Sequence, residues 1–161
     1  MVAGVITEEC AVAVAAERLW KVSFGDTKSA FLPKACAGYI DAVDVDGDGG
    51  PGTVTTMKIN PAVGEVSVFK TRVVAVDAAA RVMRSEVLEG SKVSAQLRSQ
   101  VTEVKVEAAG EGAAVVKVTV EYERLDGAPL PPEDQAKLAQ GYLGLIKKVE
   151  AYLVAHPEEF A

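Results

Sequence analysis

The chain has 161 residues, of which 49% are hydrophobic and 25% charged, a length and composition typical of one globular domain with a buried core. This composition excludes an intrinsically disordered chain, which would have too few apolar residues to offset the entropy of ordering. The 23 acidic residues outnumber the 17 basic ones and give a formal net charge of −6, so phosphates are repelled and nucleic acid is an unfavourable partner.

The cysteine content and the N-terminus indicate a cytosolic protein. Cys10 and Cys36 are too few for a disulfide framework, so we expect both thiols to be free and buried in a reducing compartment. The first ten residues carry Glu8 and Glu9 without a basic segment, which does not fit a signal peptide. No apolar run approaches the roughly 20 residues that a membrane span requires. The sequence therefore predicts no contact with a membrane.

The first quarter of the chain predicts one strand and two short helices. Val2–Cys10 is the predicted first strand. The spacing of apolar residues in Ala15–Phe24 predicts a helix, which Gly25 ends as a C-cap. Thr27 is the predicted N-cap of a second helix that runs to about Pro33.

The middle of the chain has the alternating pattern of β-strands. The clearest case includes Val118 and Val120, whose neighbours Lys117 and Thr119 are polar, as in an antiparallel strand with one face in water. Residues 111–112 predict the hairpin turn before it. The other predicted strands are the segment around Val43 and Val45, Thr53–Asn60, Glu65–Val76, Arg81–Leu88 and Val93–Glu107.

The last part of the chain predicts a long helix from Glu133 to about Ala155, which Pro157 ends. A helix of about 22 residues is about 33 Å long and needs an apolar partner surface of similar length. The concave face of a twisted, seven-stranded sheet is the candidate for that surface. The predicted fold is therefore α+β, with a curved antiparallel sheet packed against the helix in one domain, residues 1–161.

The most conspicuous motif lies in residues 44–53 and includes Gly47, Gly49, Gly50 and Gly52. Three of these glycines satisfy G-x-G-x-x-G, but a dinucleotide site needs a helix N-terminus next, and a strand pattern follows instead. No Gly-Lys-Ser/Thr sequence follows either, which excludes a P-loop. The motif is instead predicted to be a rigid hairpin loop in which glycines supply positive φ angles.

The aspartates of the same segment form a partial calcium-binding pattern. Asp44, Asp46 and Asp48 match the opening of an EF-hand loop, whereas its twelfth position, which should be a bidentate glutamate, is Thr55. Predicted strands, not helices, flank the loop. One histidine and two distant cysteines cannot make a typical zinc site. The sequence therefore predicts neither a metal nor a cofactor.

Four segments, in their order along the chain, resemble the birch-pollen-allergen-like, plant pathogenesis-related class 10 protein family. Residues 16–21 resemble its first helix, residues 48–53 its glycine-rich loop, residues 86–90 its fifth strand and residues 149–157 the end of its last helix. The resemblance covers nearly the whole chain. It implies the helix-grip (START-like) fold, in which seven antiparallel strands, two short helices and a long C-terminal helix enclose an apolar cavity.

Strand alternation and the family's positions together predict the side chains that face this cavity. Where the family tends to place tyrosine and phenylalanine, this chain has smaller residues such as Ser85, so we expect fewer hydroxyl donors than is usual for the family. The predicted cavity residues are Phe24, Leu32, Met57, Ile59, Val66, Val68, Met83, Ser85, Val87, Gln100, Thr102, Val118, Val120, Gly141, Tyr142 and Leu145.

The resemblance implies a binding protein as the leading hypothesis. On this hypothesis the protein is cytosolic, has a role in defence or stress, and binds amphipathic or apolar plant metabolites, for example cytokinins, flavonoids or steroid-like molecules. We expect a monomer or a weak dimer. A structural, allergen-like protein that needs no ligand is a further alternative.

The main alternative is a weak ribonuclease, an activity ascribed to some class 10 proteins, with RNA as the substrate. The family's proposed site combines a loop lysine, a strand acid and a Glu and a Tyr on the last helix, and Glu150 and Tyr152 match the helix pair. The lysine position is Thr55, with Lys58 nearest, and the acid position is Arg98, which could hold phosphate. The acid/base Lys, Tyr and carboxylate of the alkaloid-condensing synthases with this fold have no match here.

Overall fold

The computed structural model describes residues 4–24, 28–48, 50–60, 68–89, 97–125 and 131–158, with the side chains at 28–30 and 137–141 left out. Within these ranges the chain forms seven strands and three helices. In chain order they are β1 (Gly4–Val12), α1 (Ala16–Phe24), α2 (Lys28–Ala35), β2 (Ile40–Asp46), β3 (Val54–Ile59), β4 (Val68–Asp77), β5 (Val82–Glu89), β6 (Leu97–Ala108), β7 (Ala114–Arg124) and α3 (Pro132–Ala155). None of the described helices combines the length and apolarity needed to cross a membrane.

The strands form one antiparallel sheet in the order β1-β7-β6-β5-β4-β3-β2. From β2 to β7 each strand pairs with the next along the chain, and β1 pairs with β7 along its whole length, Gly4 opposite Tyr122 and Val12 opposite Ala114. The predicted α+β fold, with seven antiparallel strands and a long C-terminal helix, is confirmed.

Most predicted boundaries agree with the structure to within a few residues, and α2 is an instructive exception. The helix continues through Pro33 to Ala35, because the next turn still closes, with the Cys36 N–H donating to the Leu32 carbonyl at 2.9 Å. Thr27, the predicted cap of this helix, lies outside the described residues, as do the first residues of the strands predicted from Glu65 and Val93.

The two faces of the sheet differ as the alternation of β7 predicts. Val116, Val118 and Val120 are fully buried beneath the helices. On the outer face, charged side chains pair across strands, with Arg84 Nη2 2.6 Å from Glu121 Oε2. Pairs of this kind contribute little energy at a surface, so the buried valine face is what stabilises the sheet.

Helix α3 lies on the concave face and is fixed near its C-terminal end. Leu153 is completely buried and Val149 nearly so. Two polar contacts join the helix to the end of β1: Lys147 Nζ donates to the Ala11 carbonyl at 2.7 Å, and the Ala13 N–H donates to Glu150 Oε2 at 2.6 Å. The helix ends where the His156 N–H donates to the Tyr152 carbonyl at 3.0 Å.

Candidate functional site: an apolar cavity under the long helix

A cavity of about 110 Å³ lies between the concave face of the sheet and the helices. The strands β3 to β6 form its floor, and α1, α2 and α3 close it from above. Its lining consists of Ser23, Phe24, Leu32, Thr55, Met57, Phe69, Thr71, Val73, Met83, Ser85, Thr102, Val104, Tyr142, Leu145, Ile146 and Val149.

Strand register explains why the floor residues lie together. Residues directly opposite each other in an antiparallel pair point to the same face. Met57 is opposite Phe69 across β3 and β4, and Ser85 is opposite both Val73 and Thr102 across β4, β5 and β6. These pairs therefore form one continuous inner surface below α3.

The part of the cavity lining that the structure describes is mainly apolar and carries no charge. None of the described lining residues is Lys, Arg, His, Asp or Glu. Its hydroxyl groups come from Ser23, Thr55, Thr71, Ser85, Thr102 and Tyr142. The site thus offers apolar contact area together with neutral hydrogen-bonding groups, as small-molecule pockets commonly do.

Three of the lining hydroxyls lack hydrogen bonds. The side-chain oxygens of Ser23, Thr102 and Tyr142 are buried and have no partner among the residues that the structure describes. Burial raises the pKa of the Tyr142 phenol to about 12; the nearby Thr102 hydroxyl offsets part of this shift without reaching hydrogen-bond geometry. The ring of Tyr142 packs edge-on against Phe69, with centroids 5.7 Å apart. A buried hydroxyl without a partner destabilises the folded protein, so these groups call for a functional explanation.

The structure brings many of the predicted cavity residues together around this space. The predicted residues in its lining are Phe24, Leu32, Met57, Met83, Ser85, Thr102, Tyr142 and Leu145. Other predicted residues share the inner face without lining the cavity. Ile59, Gln100, Val118 and Val120 are buried in the adjacent core, and Val87 is opposite the lining residue Thr71.

Val68 is a correction. It is opposite Lys58, whereas its neighbour Phe69 is opposite Met57, so Val68 points to the outer face and Phe69 to the cavity. A shift of one residue moves every side chain of a strand to the other face, and the sequence placed β4 in the wrong phase. Val66 and Gly141, also predicted to face the cavity, lie outside the residues whose side chains are described.

Several lining residues were not predicted: Ser23, Thr55, Phe69, Thr71, Val73, Val104, Ile146 and Val149. Two of them had a usable signal in the alternation, since Thr55 lies two residues before Met57, and Val104 two residues after Thr102. The helical ones had a weaker signal. Val149 lies four residues after Leu145 and therefore on the same face of α3, but helical spacing alone does not show which part of that face lines a cavity.

The residues of the predicted ribonuclease site are held in other contacts. Besides the Ala13 N–H, the Glu150 carboxylate accepts a hydrogen bond from Lys147 Nζ at 3.3 Å. Tyr152 stacks on His156 with ring centroids 4.1 Å apart and meets the edge of Phe31. Neither Glu150 nor Tyr152 lines the cavity.

Arg98 lies at the opposite end of the sheet from Glu150. The guanidinium of Arg98 is 3.8 Å from the Glu123 carboxylate. Glu123 follows Tyr122, which pairs with Gly4 at the start of β1, so Arg98 lies near the first residue of that strand. Glu150 contacts the chain just beyond Val12, so the length of β1, about 26 Å, separates them. The hypothesis that Arg98 holds phosphate for Glu150 is therefore wrong.

We expect Glu150→Ala to lower the free energy of unfolding by about 0.5–1 kcal/mol, because the exposed N–H of Ala13 loses its charged acceptor. Urea denaturation measures this effect. Glu150→Gln is the control, since its amide oxygen keeps an acceptor for the Ala13 N–H and should recover most of the loss. A large loss of ribonuclease rate in Glu150→Gln with unchanged stability would contradict this structural role.

Backbone N–H groups of the glycine-rich loop already donate hydrogen bonds to other protein atoms. The Gly50 N–H donates to Asp48 Oδ1 at 2.9 Å, the Thr53 N–H to the Gly50 carbonyl at 3.1 Å, and the Gly52 N–H to the Val73 carbonyl at 2.8 Å. Donors that are already paired do not cradle a phosphate. Gly47 and Gly52 have φ angles of +134° and +92°, while Gly49 lies outside the described residues.

Metal-binding groups do not cluster in the parts of the chain that the structure describes. Asp44 of the partial EF-hand pattern has its carboxylate 3.9 Å from Lys58 Nζ, and Asp48 accepts the Gly50 N–H. Cys10 and Cys36 are both free thiols, and burial raises the pKa of each.

The curved antiparallel sheet, the long C-terminal helix and the uncharged cavity between them define a protein of the helix-grip class. The chain belongs to the Pathogenesis-related protein Bet v 1 family, whose model matches residues 1–156. The resemblance seen in the sequence is thereby confirmed.

Individual relatives are similar over almost their full length. Pathogenesis-related protein 1 of Asparagus officinalis is 32% identical over 161 residues, which is 99% of each chain. Major pollen allergen Bet v 1-C of Betula pendula is 27% identical over 150 residues, 91% of each chain.

Two solved structures show the same fold. The crystal structure of Ara h 8.0201 superposes with a TM-score of 0.78 at 25% identity and covers 95% of this chain and 99% of its own. The truncated norcoclaurine synthase from Thalictrum flavum gives a TM-score of 0.68 at 25% identity, with 95% and 94% covered.

Proposed function

We propose that this protein binds small apolar or amphipathic molecules reversibly in the cavity beneath α3. The observation that carries the proposal is the lining itself, a concave and mainly apolar surface between the sheet and the helices that also includes residues with neutral hydroxyls. A ligand that buries about 250 Å² of apolar surface gains roughly 6 kcal/mol before the costs of association. A gain of about 6 kcal/mol corresponds to a Kd of about 40 μM, and the costs of association weaken it further, so an affinity between tens of micromolar and millimolar is the most that this area supports.

The setting that we propose is the cytosol of a plant cell under stress or attack. The relatives named for pathogenesis support the stress role, and two free cysteines are suited to a reducing compartment. We propose a single domain that acts as a monomer or weak dimer. Cytokinins, flavonoids and steroid-like molecules are the metabolite classes that we propose as ligands.

Binding is a better proposal than catalysis because the described lining contains no acid/base pair. A condensing synthase needs charged groups that project onto its substrate, and Tyr142, the lining residue that ionises, remains a neutral phenol at physiological pH. The ribonuclease alternative is disfavoured by the contacts of Glu150 and by its distance from Arg98.

We expect Ser85→Phe to abolish the binding of an apolar fluorescent probe while leaving the protein folded. Ser85 lines the floor of the cavity, and a phenyl ring occupies most of a space of this size. A void accepts added volume that a packed core would not. Titration of the probe, followed by its displacement with plant metabolites, measures the effect.

Ser99→Phe is the matched control. It introduces the same change from serine to phenylalanine at an exposed position of β6 that does not line the cavity. It should bind the probe like the unmodified protein. If Ser85→Phe remains folded and binds equally well, the ligand is not in this cavity. If no probe or metabolite binds the unmodified protein, the alternative of a protein that needs no ligand is favoured.

A further inference from the structure

The C-terminal half of α3 is fixed to the rest of the protein. Ile146, Val149 and Leu153 are buried against the core, with 7% or less of their surface exposed. Arg18 of α1 donates to the His156 carbonyl at 2.6 Å, and the two polar contacts with the end of β1 lie in this half as well. Because movement of this half would break all of these contacts, it stays docked on the core.

The N-terminal half of α3, residues 132–143, is held less firmly. None of its described side chains is buried: Glu133 is exposed, and Tyr142 and Leu143 are only partly buried. Tyr142 lines the cavity and packs edge-on against Phe69 of the floor, so this half covers part of the site. Local opening is easiest where few apolar side chains are buried, so this half can leave the sheet while the other half stays in place.

Gly144 lies where the two halves meet, and packing does not explain it. Glycine is the least favourable residue of a helix interior after proline, because it loses the most backbone freedom on ordering. Gly144 is exposed, and an added Cβ atom would meet no described atom within 4 Å outside its own helical turn. It does not have a positive φ angle either. A glycine that neither close packing nor backbone conformation requires is explained by a helix that bends at this residue.

We propose that Gly144 is the hinge that opens the binding site. At this hinge the N-terminal half of α3 swings away from the sheet to admit or release a ligand, and then returns. Tyr142 on one side of the hinge moves with that half, whereas Ile146 and Val149 on the other side continue to line the cavity. This inference rests on the proposed function and specifies how ligands enter and leave the site.

Gly144→Ala tests the hinge through the kinetics of probe exchange. Alanine favours the straight helix over the bent one by about fivefold relative to glycine, so the open state becomes rarer. In stopped-flow mixing with an apolar fluorescent probe, we expect the association and dissociation rate constants both to fall about fivefold. The Kd should change by less than about twofold, because the helix closes again over the bound probe. The variant should fold normally, since the added methyl group enters open space.

Ala151→Gly is the matched control. Ala151 is exposed on the docked half, so this substitution introduces a glycine of similar cost to the helix away from the hinge. Both rate constants should stay within about twofold of those of the unmodified protein. The double variant that combines Gly144→Ala with Ala151→Gly has the original number of glycines and should exchange the probe as slowly as Gly144→Ala alone.

Hydrogen exchange without ligand provides a second measurement. Bending at Gly144 breaks the backbone bonds of the turn that spans it, in which the N–H groups of residues 145–148 donate to carbonyls four residues earlier. These amides should exchange faster than those of residues 150–153 in the unmodified protein. Gly144→Ala should slow them about fivefold and leave residues 150–153 unchanged.

The outcomes separate the hinge from the proposed function. If the probe binds and Gly144→Ala leaves both rate constants unchanged, ligands enter by another route, and the hinge is overturned while cavity binding stands. If Ala151→Gly accelerates exchange as much as Gly144→Ala slows it, the overall stability of the helix controls entry, which also refutes the hinge. If no probe or metabolite binds the unmodified protein, the proposed function fails and the gate fails with it.

Discussion

Leu153→Ala is expected to lower the free energy of unfolding by about 3–4 kcal/mol, the largest effect that we predict for a single side chain. Leu153 has no exposed surface and lies in the last turns of α3, where the helix meets the core. Truncation removes buried methyl groups and leaves a cavity that the rigid surroundings fill only in part. Urea denaturation followed by circular dichroism measures the change.

The neighbouring Val154 supplies a control in the same helix. It is 54% exposed, so Val154→Ala should change the free energy of unfolding by less than about 0.5 kcal/mol. Similar losses in both variants would mean that helix propensity, and not burial, controls this end of α3.

Gly47→Ala is expected to destabilise the protein by about 2–4 kcal/mol, from two independent causes. Gly47 has a φ of +134°, which residues with a side chain rarely adopt. A Cβ atom there would also lie 2.6 Å from Thr53 Oγ1 and 2.9 Å from Thr53 Cα. Since Thr53 is buried and its carbonyl accepts from the Val73 N–H, the strand cannot easily shift.

Gly50→Ala is the comparison within the same loop. Gly50 does not have a positive φ, and its added Cβ would meet only the Asp48 carboxylate, at 3.2 Å. The expected loss is below about 1 kcal/mol, measured by urea denaturation in parallel. If the two variants were equally stable, the loop would be adaptable and the requirement for glycine at position 47 would be refuted.

The fold was predictable because local patterns and the long-range structure agree. The alternation of Val116, Val118 and Val120 specifies a strand with one buried face, and the stripe on α3 specifies its partner. The end of α2 was not predictable, because proline usually stops a helix. Here the helix tolerates the hydrogen bond that Pro33 cannot donate and continues to Ala35.

The cavity residues were predictable only in part. Alternation shows that every second residue of a strand points to the same face, but it does not show which of the two sets points to the cavity. In β3 and β5 the phase was set by clear apolar residues such as Met57 and Met83. In β4 both Val68 and Phe69 are apolar, so the sequence alone could not choose between them. The choice is made by pairing with β3, which places Phe69 opposite Met57.

The unpartnered hydroxyls could not be found from the sequence at all. Thr102 and Tyr142 were predicted to face inward, but whether a hydroxyl has a partner depends on atoms from other elements. Ser23 lies on a helix whose pattern indicated only packing. The missing partners become visible only when the fold places the side chains around each hydroxyl.

The pairing of the first strand with the last one governs how the chain can fold as it is synthesised. Every other neighbouring pair of strands is close in sequence, whereas β1 can pair only after β7 has been synthesised, because Gly4 lies opposite Tyr122. At about 5–20 residues per second, β1 remains unpaired for roughly 5–20 s after it emerges, and such long-range closure is slow. Glu8 and Glu9, both exposed on this edge strand, repel other nascent chains during that interval and so protect the strand from pairing with the wrong partner.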